Sequence, residues 1–250
     1  TIGNDRALRK YVLPVKYLAD SPEIWEPYIE AKLRELEKVN AAIYLPDAVT
    51  STTPEDKWGP MGYDPPETSP CERRHYVSGD EPFEYRIDYW NKEDATAPAQ
   101  DVFIDDQLDP NFDLSTFEFG DFGFLKWTVQ VEPGQQEIDE IVDLRPDMEL
   151  LVHLHAWLDE DGEVHWVFNS LDPYTNRWPE DPFAGYLPPM TESGYELGWV
   201  TYTVQPKADL PTGTEIRNQC FVNFDGVGPW NPAPKNPDSD PAGCGPWLNT

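Results

Sequence analysis

The sequence predicts an all-β protein, an antiparallel two-sheet sandwich preceded by one amphipathic helix at the N-terminus. Apolar and polar residues alternate with a period of two along most of the chain after Leu45. Asp-Pro, Pro-Gly and Asp-Gly pairs separate these runs, in a chain with 27 prolines and 16 glycines. Because no helical pattern alternates with the runs, a parallel sheet with crossover helices is not expected.

The helical pattern comes first, over roughly 22–43. Ser21-Pro22-Glu23 supplies an N-cap residue, a proline in the first helical position and an acidic first turn. From Trp25 to Ile43, apolar residues recur every three or four positions. An isolated helix of this length is marginally stable in water, so its apolar face needs a surface. That surface is expected on the β domain, on a preceding domain or on another subunit.

Eight alternating runs follow and are predicted to be seven or eight strands. Phe83, Tyr85, Ile87 and Tyr89 show the alternation most clearly. The stretch 172–194 is rich in proline and is predicted to be one long connection with a role in packing or function. The runs cover about 82–90, 99–106, 123–131, 137–143, 149–158, 163–169, 196–205 and 214–224.

The charge pattern divides the chain at the same place as the periodicity. Residues 1–45 carry equal numbers of acidic and basic side chains, so the net charge of −29 belongs entirely to the remainder. We therefore predict a helical lead-in over 1–45, a β-sandwich domain over 46–227 and an extension or linker rich in Pro, Gly and Asp over 228–250.

The acidity also excludes some classes of partner. With a pI near 4.2, the surface repels phosphate, so nucleic acid is not an expected partner. No run of about 18 apolar residues occurs, so no membrane insertion is predicted. Thr1 is followed by no apolar signal segment, so any signal peptide is expected to have been removed or to lie upstream.

The chain has three cysteines, which leaves at least one unpaired. Cys220 lies in an alternating run and is predicted to be a small buried residue. Cys71 and Cys244 lie in loops rich in Pro and Gly, where we predict a disulfide, with two free thiols as the alternative. The disulfide would close a loop of about 170 residues and contribute about 4–5 kcal/mol in the chain-entropy model.

The histidines invite a metal-site interpretation. His153 and His155 share one face of a predicted strand, and a turn at 159–162 returns the chain to His165. With a two- or four-residue loop, His165 falls on the opposite face, so a three-histidine site is not predicted. Histidines on a half-exposed strand are the expected outcome.

Two acidic stretches are better candidates for a metal ion. Calcium takes about six to eight oxygen ligands, and both stretches place oxygen-bearing side chains at short intervals. Neither is a complete EF-hand loop, because the central Gly and the terminal Glu are missing. We predict Ca²⁺ at one or both stretches, with solvated acidic turns as the alternative. The candidate ligands are Asn236, Asp238 and Asp240 in one stretch and Asp105, Asp106, Asp109, Asn111 and Asp113 in the other.

No enzymatic activity is predicted. The chain lacks the Gly-x-Ser-x-Gly, His-Glu-x-x-His and phosphate-loop motifs, and its many carboxylates single out no acid–base pair. A hydrolase using carboxylates of 172–194 is a remote alternative. The ten tryptophans also permit a carbohydrate-binding module, with Trp178 and Trp230 as candidate stacking surfaces.

An apolar segment near the N-terminus is the candidate interface with other copies of the chain. If this segment or the C-terminal extension adds to an exposed sheet edge of a neighbour, the chain becomes the subunit of a polymer. The candidate interface residues are Leu8, Tyr11, Val12, Leu13, Val15, Tyr17 and Leu18.

Several blocks of the sequence together form a recognisable pattern: Thr53–Asp64, Tyr85–Lys92, Ala95–Val102, Asp106–Asp113, Gly120–Phe124, Phe168–Pro173, Pro179–Pro182, Gly185–Pro189, Leu210–Gln219, Asn223–Asp225 and Asn231–Pro234. With these blocks, the chain resembles the conserved-repeat, Ig-like sandwich domains of large bacterial secreted and cell-surface proteins. The resemblance spans about 50–235 and implies an extracellular module without catalysis, set among neighbouring modules. Cys71, Cys244 and the stretch 236–250 depart from the family pattern. The expected function is therefore a structural or adhesive one with calcium-stiffened loops, and a glycan-binding module is the alternative.

Overall fold

The computed structural model describes residues 55–192, 194–226, 230–233 and 246–250, which form two antiparallel β-sheets. A short 3-10 helix, Pro70–Glu72, and no α-helix occurs in this described part. The strands are β1 Glu55–Trp58, β2 Phe83–Trp90, β3 Asp101–Gln107, β4 Phe112–Phe124, β5 Trp127–Val129, β6 Glu137–Asp143, β7 Leu151–Leu158, β8 Glu163–Leu171, β9 Leu197–Pro206, β10 Ile216–Phe224, β11 Asn231–Ala233 and β12 Trp247–Asn249.

The smaller sheet has the order β1-β2-β9-β4-β5, and the larger has the order β11-β10-β3-β8-β7-β6. The short strand β12 also pairs with β10, through Asn218 opposite Trp247. This arrangement confirms the predicted all-β class with two antiparallel sheets.

The core follows from the alternation seen in the sequence. Phe83, Tyr85, Ile87 and Tyr89 of β2 are all buried, and the residues between them are more exposed. Burying alternate aromatic side chains of one sheet against the other removes a large apolar area from water, at about 25 cal/mol per Å². Fifteen aromatic side chains in the described part of the chain are buried and make up much of this core.

One predicted strand is a hairpin instead. The run predicted over 123–131 contains the end of β4, a turn at Leu125 and Lys126, and β5. Leu125 has a φ of 52°, which reverses the chain direction. The long strand β4 was missed because its pairing with β9 shifts register twice, and such bulges interrupt the alternation.

Three further strands escaped prediction because they are short. β1, β11 and β12 contain four, three and three residues, too few for a period-two pattern to be recognised. The strand β1 is nevertheless important, because it places the side chain of Lys57 in the core, where it is fully buried.

The second half of the predicted long connection packs against the sandwich. Tyr186 and Leu187 are fully buried, and Leu187 pairs with Ala99 in an isolated β-bridge. The Tyr186 hydroxyl lies 3.4 Å from that of Tyr89. This half of the connection therefore has a packing role.

Several predictions fall outside the described residues. They are the helix over 22–43, the apolar segment 8–18, and most of the extension 228–250. The proposed division at 45 and 227 also stays a prediction. Within the segment Leu171–Trp178, Asp172 Oδ1 accepts hydrogen bonds from the backbone N–H groups of Tyr174 and Thr175. Among the described residues, no helix is long and apolar enough to cross a membrane.

Candidate functional site

A lysine lies in the centre of the sandwich core. Lys57 points inward from β1, and none of its surface is exposed. Asp106 from β3, Tyr202 from β9 and Asn218 from β10 surround its amine and are also buried. We call these four residues the Lys57 cluster. It joins both sheets, because β1 and β9 belong to the smaller sheet and β3 and β10 to the larger one.

Hydrogen bonds link every member of the Lys57 cluster. The amine of Lys57 donates to Asp106 Oδ2, to Asn218 Oδ1 at 2.6 Å and to the Tyr202 hydroxyl at 3.2 Å. Tyr202 donates to Asp106 Oδ2 at 2.8 Å, and Asn218 Nδ2 donates to the Tyr202 hydroxyl at 2.7 Å. The cluster is thus a closed set in which the amine contacts both the carboxyl group and the amide, and the Tyr202 hydroxyl also links the carboxyl group to the amide.

Aromatic rings keep the cluster dry. The Lys57 amine lies 5.1 Å from the ring centre of Tyr85 and 5.5 Å from that of Tyr202. Burial raises the pKa of Tyr85, and burial together with the charge of Asp106 raises that of Tyr202 well above its usual range. Both phenols therefore stay protonated at any physiological pH.

A buried ion pair of this kind gives little stability compared with well-packed apolar residues. Removing one partner alone, however, typically costs about 3–5 kcal/mol, because an uncompensated charge stays behind. One carboxylate oxygen of the pair, Asp106 Oδ1, is buried without a hydrogen-bond partner within the described part of the chain. That orphaned oxygen is costly in a purely structural ion pair.

The strand β12 pairs with β10 at the position of Asn218, a member of the cluster. Trp247 pairs with Asn218 in the sheet, stacks on His75 at 4.2 Å, and donates from Nε1 to Asn249 Oδ1 at 3.1 Å. Asn249 in turn donates to the carbonyl oxygens of Pro60 and His75. The last strand is therefore fixed beside one of the strands that form the cluster, and its Trp247 also lies 6.4 Å from the ring of Trp58 on β1.

Sequence reasoning missed the Lys57 cluster. A lysine in a four-residue strand is normally assumed to face solvent, because lysine is almost never fully buried unless it is paired. The one available signal is position: Glu55 and Lys57 alternate with Asp56 and Trp58, so the two could share a buried face. Nothing in the spacing identifies Asp106 or Asn218 as their neighbours.

The predicted calcium ligands around β3 do not come together as one set. Asp105 and Asp106 point to opposite faces of β3, and Asp106 belongs to the Lys57 cluster. Asp109 accepts hydrogen bonds from the backbone and side chain of Asn111 and from the backbone N–H of Arg217. Asp113 accepts from Ser115. These carboxylates thus stabilise turns, and a calcium site that uses some of them stays a prediction.

The other predicted calcium ligands, Asn236, Asp238 and Asp240, lie outside the described residues, as does Cys244. The Cys71–Cys244 disulfide therefore stays a prediction as well. Cys220 is free and fully buried, and burial raises the pKa of its thiol, so its predicted role as a small core residue is confirmed.

His165 lies on the same face as His155, contrary to the sequence expectation. Trp157 stacks on His155 at 4.7 Å and on His165 at 4.8 Å. The reason is the loop length: Asp159 N–H donates to Glu163 O, and Gly162 has a φ of 79°, which makes a three-residue loop with a bulge. A loop of three residues, unlike one of two or four, places His165 directly opposite Trp157, on the face that His155 also occupies.

These histidines have shifted pKa values of opposite sign. Burial lowers the pKa of His155, and its contact with Glu137 only partly offsets this. Burial acts in the same sense on His165, but a 2.8 Å hydrogen bond to Asp105 and the nearby acidic charges outweigh it and raise its pKa. The residues therefore titrate separately although they share a face.

Three side chains of the same hairpin could hold a cation. Ligand atoms of Asp159, Glu163 and His165 all lie within 4.8 Å of one another. Asp159 Oδ1 already accepts hydrogen bonds from the backbone N–H groups of Asp161 and Glu163, as is usual for a turn aspartate. The arrangement is explained by the turn, and an ion is not needed to account for it.

A cleft of about 490 Å³ lies at one end of the sandwich. Val77, Phe83, Leu210 and Ile216 are among its lining residues, and no carboxylate side chain lines it. The cleft therefore lacks the facing acids that glycoside hydrolysis requires.

The tryptophans suggested for glycan stacking are only half-exposed. Trp178 and Trp230 are both of intermediate burial. More exposed aromatic side chains lie elsewhere, at Trp58, Tyr63 and Tyr76, and the latter two pair in an isolated bridge. If a carbohydrate surface exists, these residues are better candidates.

Comparisons with known proteins show no family for this chain. No protein-family model matches the chain, and no curated protein matches its sequence. The resemblance to conserved-repeat Ig-like domains thus stays a prediction.

Solved structures with distant similarity include the full-length major pilin SpaD of Corynebacterium diphtheriae, with 12% identity and a TM-score of 0.36 over 73% of this chain. The chain spans 33% of that pilin's length. The collagen-binding subdomain ACE19 of the Enterococcus faecalis surface protein ACE has 12% identity and a TM-score of 0.30, over 63% of this chain and 90% of that one. AvmM, which catalyses macrocyclization in alchivemycin A biosynthesis, has 9% identity and a TM-score of 0.26, over 71% of this chain and 75% of AvmM.

Proposed function

We propose that the chain is a non-enzymatic structural or adhesive module that works outside the cell. The observation that carries this proposal is the Lys57 cluster, which fastens the first described strand to β3 and β10 across the core. Buried polar contacts between sheets suit a domain that transmits load, because pulling the sheets apart would first separate an amine and a carboxyl group that are still shielded from water.

The charge of the chain is consistent with this proposal. A net charge of −29 keeps a protein soluble and apart from nucleic acid and anionic lipid. Calcium bound at acidic loops would lower the repulsion between neighbouring carboxylates and stiffen the junctions between modules. In this proposal, the partners are neighbouring modules or further copies of the chain, with the segment 8–18 as the contact in a polymer.

The extracellular location is tested on cells that make the protein. Antibodies raised against the purified chain should label intact cells as strongly as permeabilised ones, and brief treatment of intact cells with protease should remove the signal. An antibody against a cytoplasmic protein serves as the control and should label only permeabilised cells. Labelling that requires permeabilisation, with no protein in the culture medium, would contradict the proposal.

The polymer version has a separate test. Multi-angle light scattering of the purified chain with calcium should show species larger than the monomer at high protein concentration, and replacing Tyr11, Leu13 and Val15 by Asp should abolish them. A monodisperse monomer under these conditions would rule out self-assembly through 8–18 and leave the single-module version.

A second candidate function is carbohydrate binding. Trp58 is 42% exposed and Tyr63 is 64% exposed, and aromatic rings on a sandwich surface can stack on sugars. A glycan array should then show binding that Trp58→Ala and Tyr63→Ala abolish and that Trp178→Ala retains. An array without binding would eliminate this candidate.

A further inference from the structure

The geometry points to an intramolecular amide bond between Lys57 Nζ and Asn218 Cγ, formed within the folded protein with Asp106 as the catalytic acid–base. This modification site goes beyond the proposed function and does not depend on where the protein works. It is argued from the contacts, burial and chemistry of the Lys57 cluster.

The first argument is proximity. Lys57 Nζ lies 2.6 Å from the carbonyl oxygen of the Asn218 side chain, although the two residues are 161 positions apart in the chain. Folding thus holds two groups that are distant in the chain in reacting position within a rigid core, and well-oriented intramolecular groups reach effective molarities of about 10⁵–10⁸ M. The backbone of β1 and β10 holds both groups in place.

The second argument is the dry environment. Lys57 and Asp106 have no exposed surface, and Asn218 has 1%. An amine is a nucleophile only when it is neutral, and an apolar pocket favours the neutral form. Transfer of a proton from the Lys57 ammonium to Asp106 would turn a buried ion pair into a neutral amine beside a neutral carboxyl group. The aromatic rings also exclude water, which would otherwise compete as the nucleophile.

The third argument is that the proton path is complete. The amine attacks Asn218 Cγ, and the carbonyl oxygen takes up charge and a proton from the Asp106 carboxyl group. Asp106 then removes a proton from the attacking nitrogen. Tyr202 donates to Asp106 and accepts from Asn218 Nδ2, so it can pass a proton to the leaving nitrogen.

The step balances without any further reactant. The Nζ–Cγ bond forms, the Cγ–Nδ2 bond breaks, and Nδ2 leaves as ammonia with its electron pair, its two hydrogens and one hydrogen from the amine. No electron is transferred to an oxidant. The product amide has one N–H and one carbonyl oxygen, which leaves Asp106 and Tyr202 with partners in the same dry pocket.

Asn218 is preferred over Asp106 as the reacting carbonyl for a chemical reason. An ionised carboxylate is a poor electrophile, and attack on Asp106 would remove from the cluster the group that moves the protons. The alternative linkage, between Lys57 and Asp106, would release water instead of ammonia. The two products therefore differ by about 1 Da and are distinguished by their fragments.

The test is an intact-mass measurement of the full chain under reducing conditions. The expected mass is about 17 Da below that of the sequence, the mass of one ammonia. Trypsin should fail to cleave after Lys57, and a peptide covering 39–73 should appear joined to one covering 218–235. Lys57→Met, Asn218→Ala and Asp106→Asn should each restore the full mass. Lys126→Met, which removes a lysine paired with Asp147 on the surface, should retain the loss.

Three outcomes would overturn the proposal. Wild-type protein of full sequence mass would show that the cluster is an ordinary buried ion pair. A loss of about 18 Da with a link to the peptide 93–126 would assign the bond to Asp106 instead. A loss of about 17 Da that persists in Lys57→Met would identify an unrelated asparagine reaction. Since the wild-type mass and the peptide map decide the matter alone, a variant that fails to fold does not obscure the result.

Discussion

Gly198 shows how a single residue adapts one sheet to its aromatic core. It lies opposite Tyr89 in the β2–β9 pair, and a Cβ added there would approach the Tyr89 ring to 2.2 Å. The ring thus occupies the space that any other side chain would need. Tyr89 can then pack against Phe168 and approach Tyr186.

We therefore predict that Gly198→Ala destabilises the fold by about 1–3 kcal/mol, because the added methyl group displaces a buried ring. The control is Gly79→Ala, since a Cβ at Gly79 meets nothing within 4 Å. Urea unfolding monitored by tryptophan fluorescence measures both. Equal stabilities of the two variants would show that the ring has room to move.

His155 and His165 provide a prediction about pH. Because their pKa values shift in opposite directions, NMR titration of the imidazole rings should show His165 titrating above about 6.5 and His155 below it. Coinciding titration curves would contradict the predicted environments.

The effects on stability also have opposite signs. The raised pKa of His165 gives stability that is complete below its unfolded pKa of about 6.5 and is lost as the pH rises through its folded pKa. The lowered pKa of His155 gives stability that is complete above about 6.5 and is lost as the pH falls through its folded pKa. Hence His165→Gln should cost most at acidic pH, and His155→Gln should cost least there. Thermal melts across this range check both signs.

At the scale of elements, strand pairing and strand ends decide where the chain is open to other chains. β6 forms one edge of the larger sheet and β5 forms one edge of the smaller sheet. β5 has only three residues, whereas β6 has seven, of which Glu137, Asp139, Glu140 and Asp143 are acidic. Charged side chains on a long edge strand prevent pairing with a second chain.

The protection of β6 can be removed in one step. Glu140→Val removes one charge from an edge strand that also exposes Ile141 to 56%, and it should promote association that increases with protein concentration. Glu140→Lys keeps a charge at the edge and is the matched control. Light scattering at several concentrations measures the difference, and unchanged scattering for Glu140→Val would show that the other acids suffice.

At the scale of the whole molecule, the excess of acidic residues is the dominant property. Self-repulsion among 47 acidic side chains opposes the compact state, and any cation lowers it by screening. A specific calcium site would act at much lower concentration than screening does. The two explanations for the acidity, a calcium site and general salt adaptation, therefore differ in their dose dependence.

If calcium binds specifically, micromolar to millimolar Ca²⁺ should raise the melting temperature, and a chelator should reverse the rise. Sodium chloride of equal ionic strength should have a much smaller effect. Asp238→Asn with Asp240→Asn should remove the response if the C-terminal stretch is the site, and Asp109→Asn should do so if the loop after β3 is. Equal effects of sodium and calcium would leave only general screening.

The sequence alone determined much of the fold, because the positions of most strands follow from local patterns of apolar and polar residues. Alternating side chains must face opposite sides of a strand, so β2, β6, β7, β9 and β10 could be placed from the sequence within a few residues. Turn residues marked their ends for the same reason. The pattern failed where geometry departs from regular alternation, at the bulges of β4, at the odd loop before Glu163, and in strands of three or four residues.

The candidate site was decided by tertiary structure alone. Lys57, Asp106 and Asn218 come from three strands separated by long stretches of chain, and each is unremarkable in its local sequence. Only the pairing of β10 with β3, together with the packing of β1 from the other sheet, brings their side chains into contact. An alternating pattern states which residues turn inward, but the neighbours they meet there depend on how distant strands pack across the core.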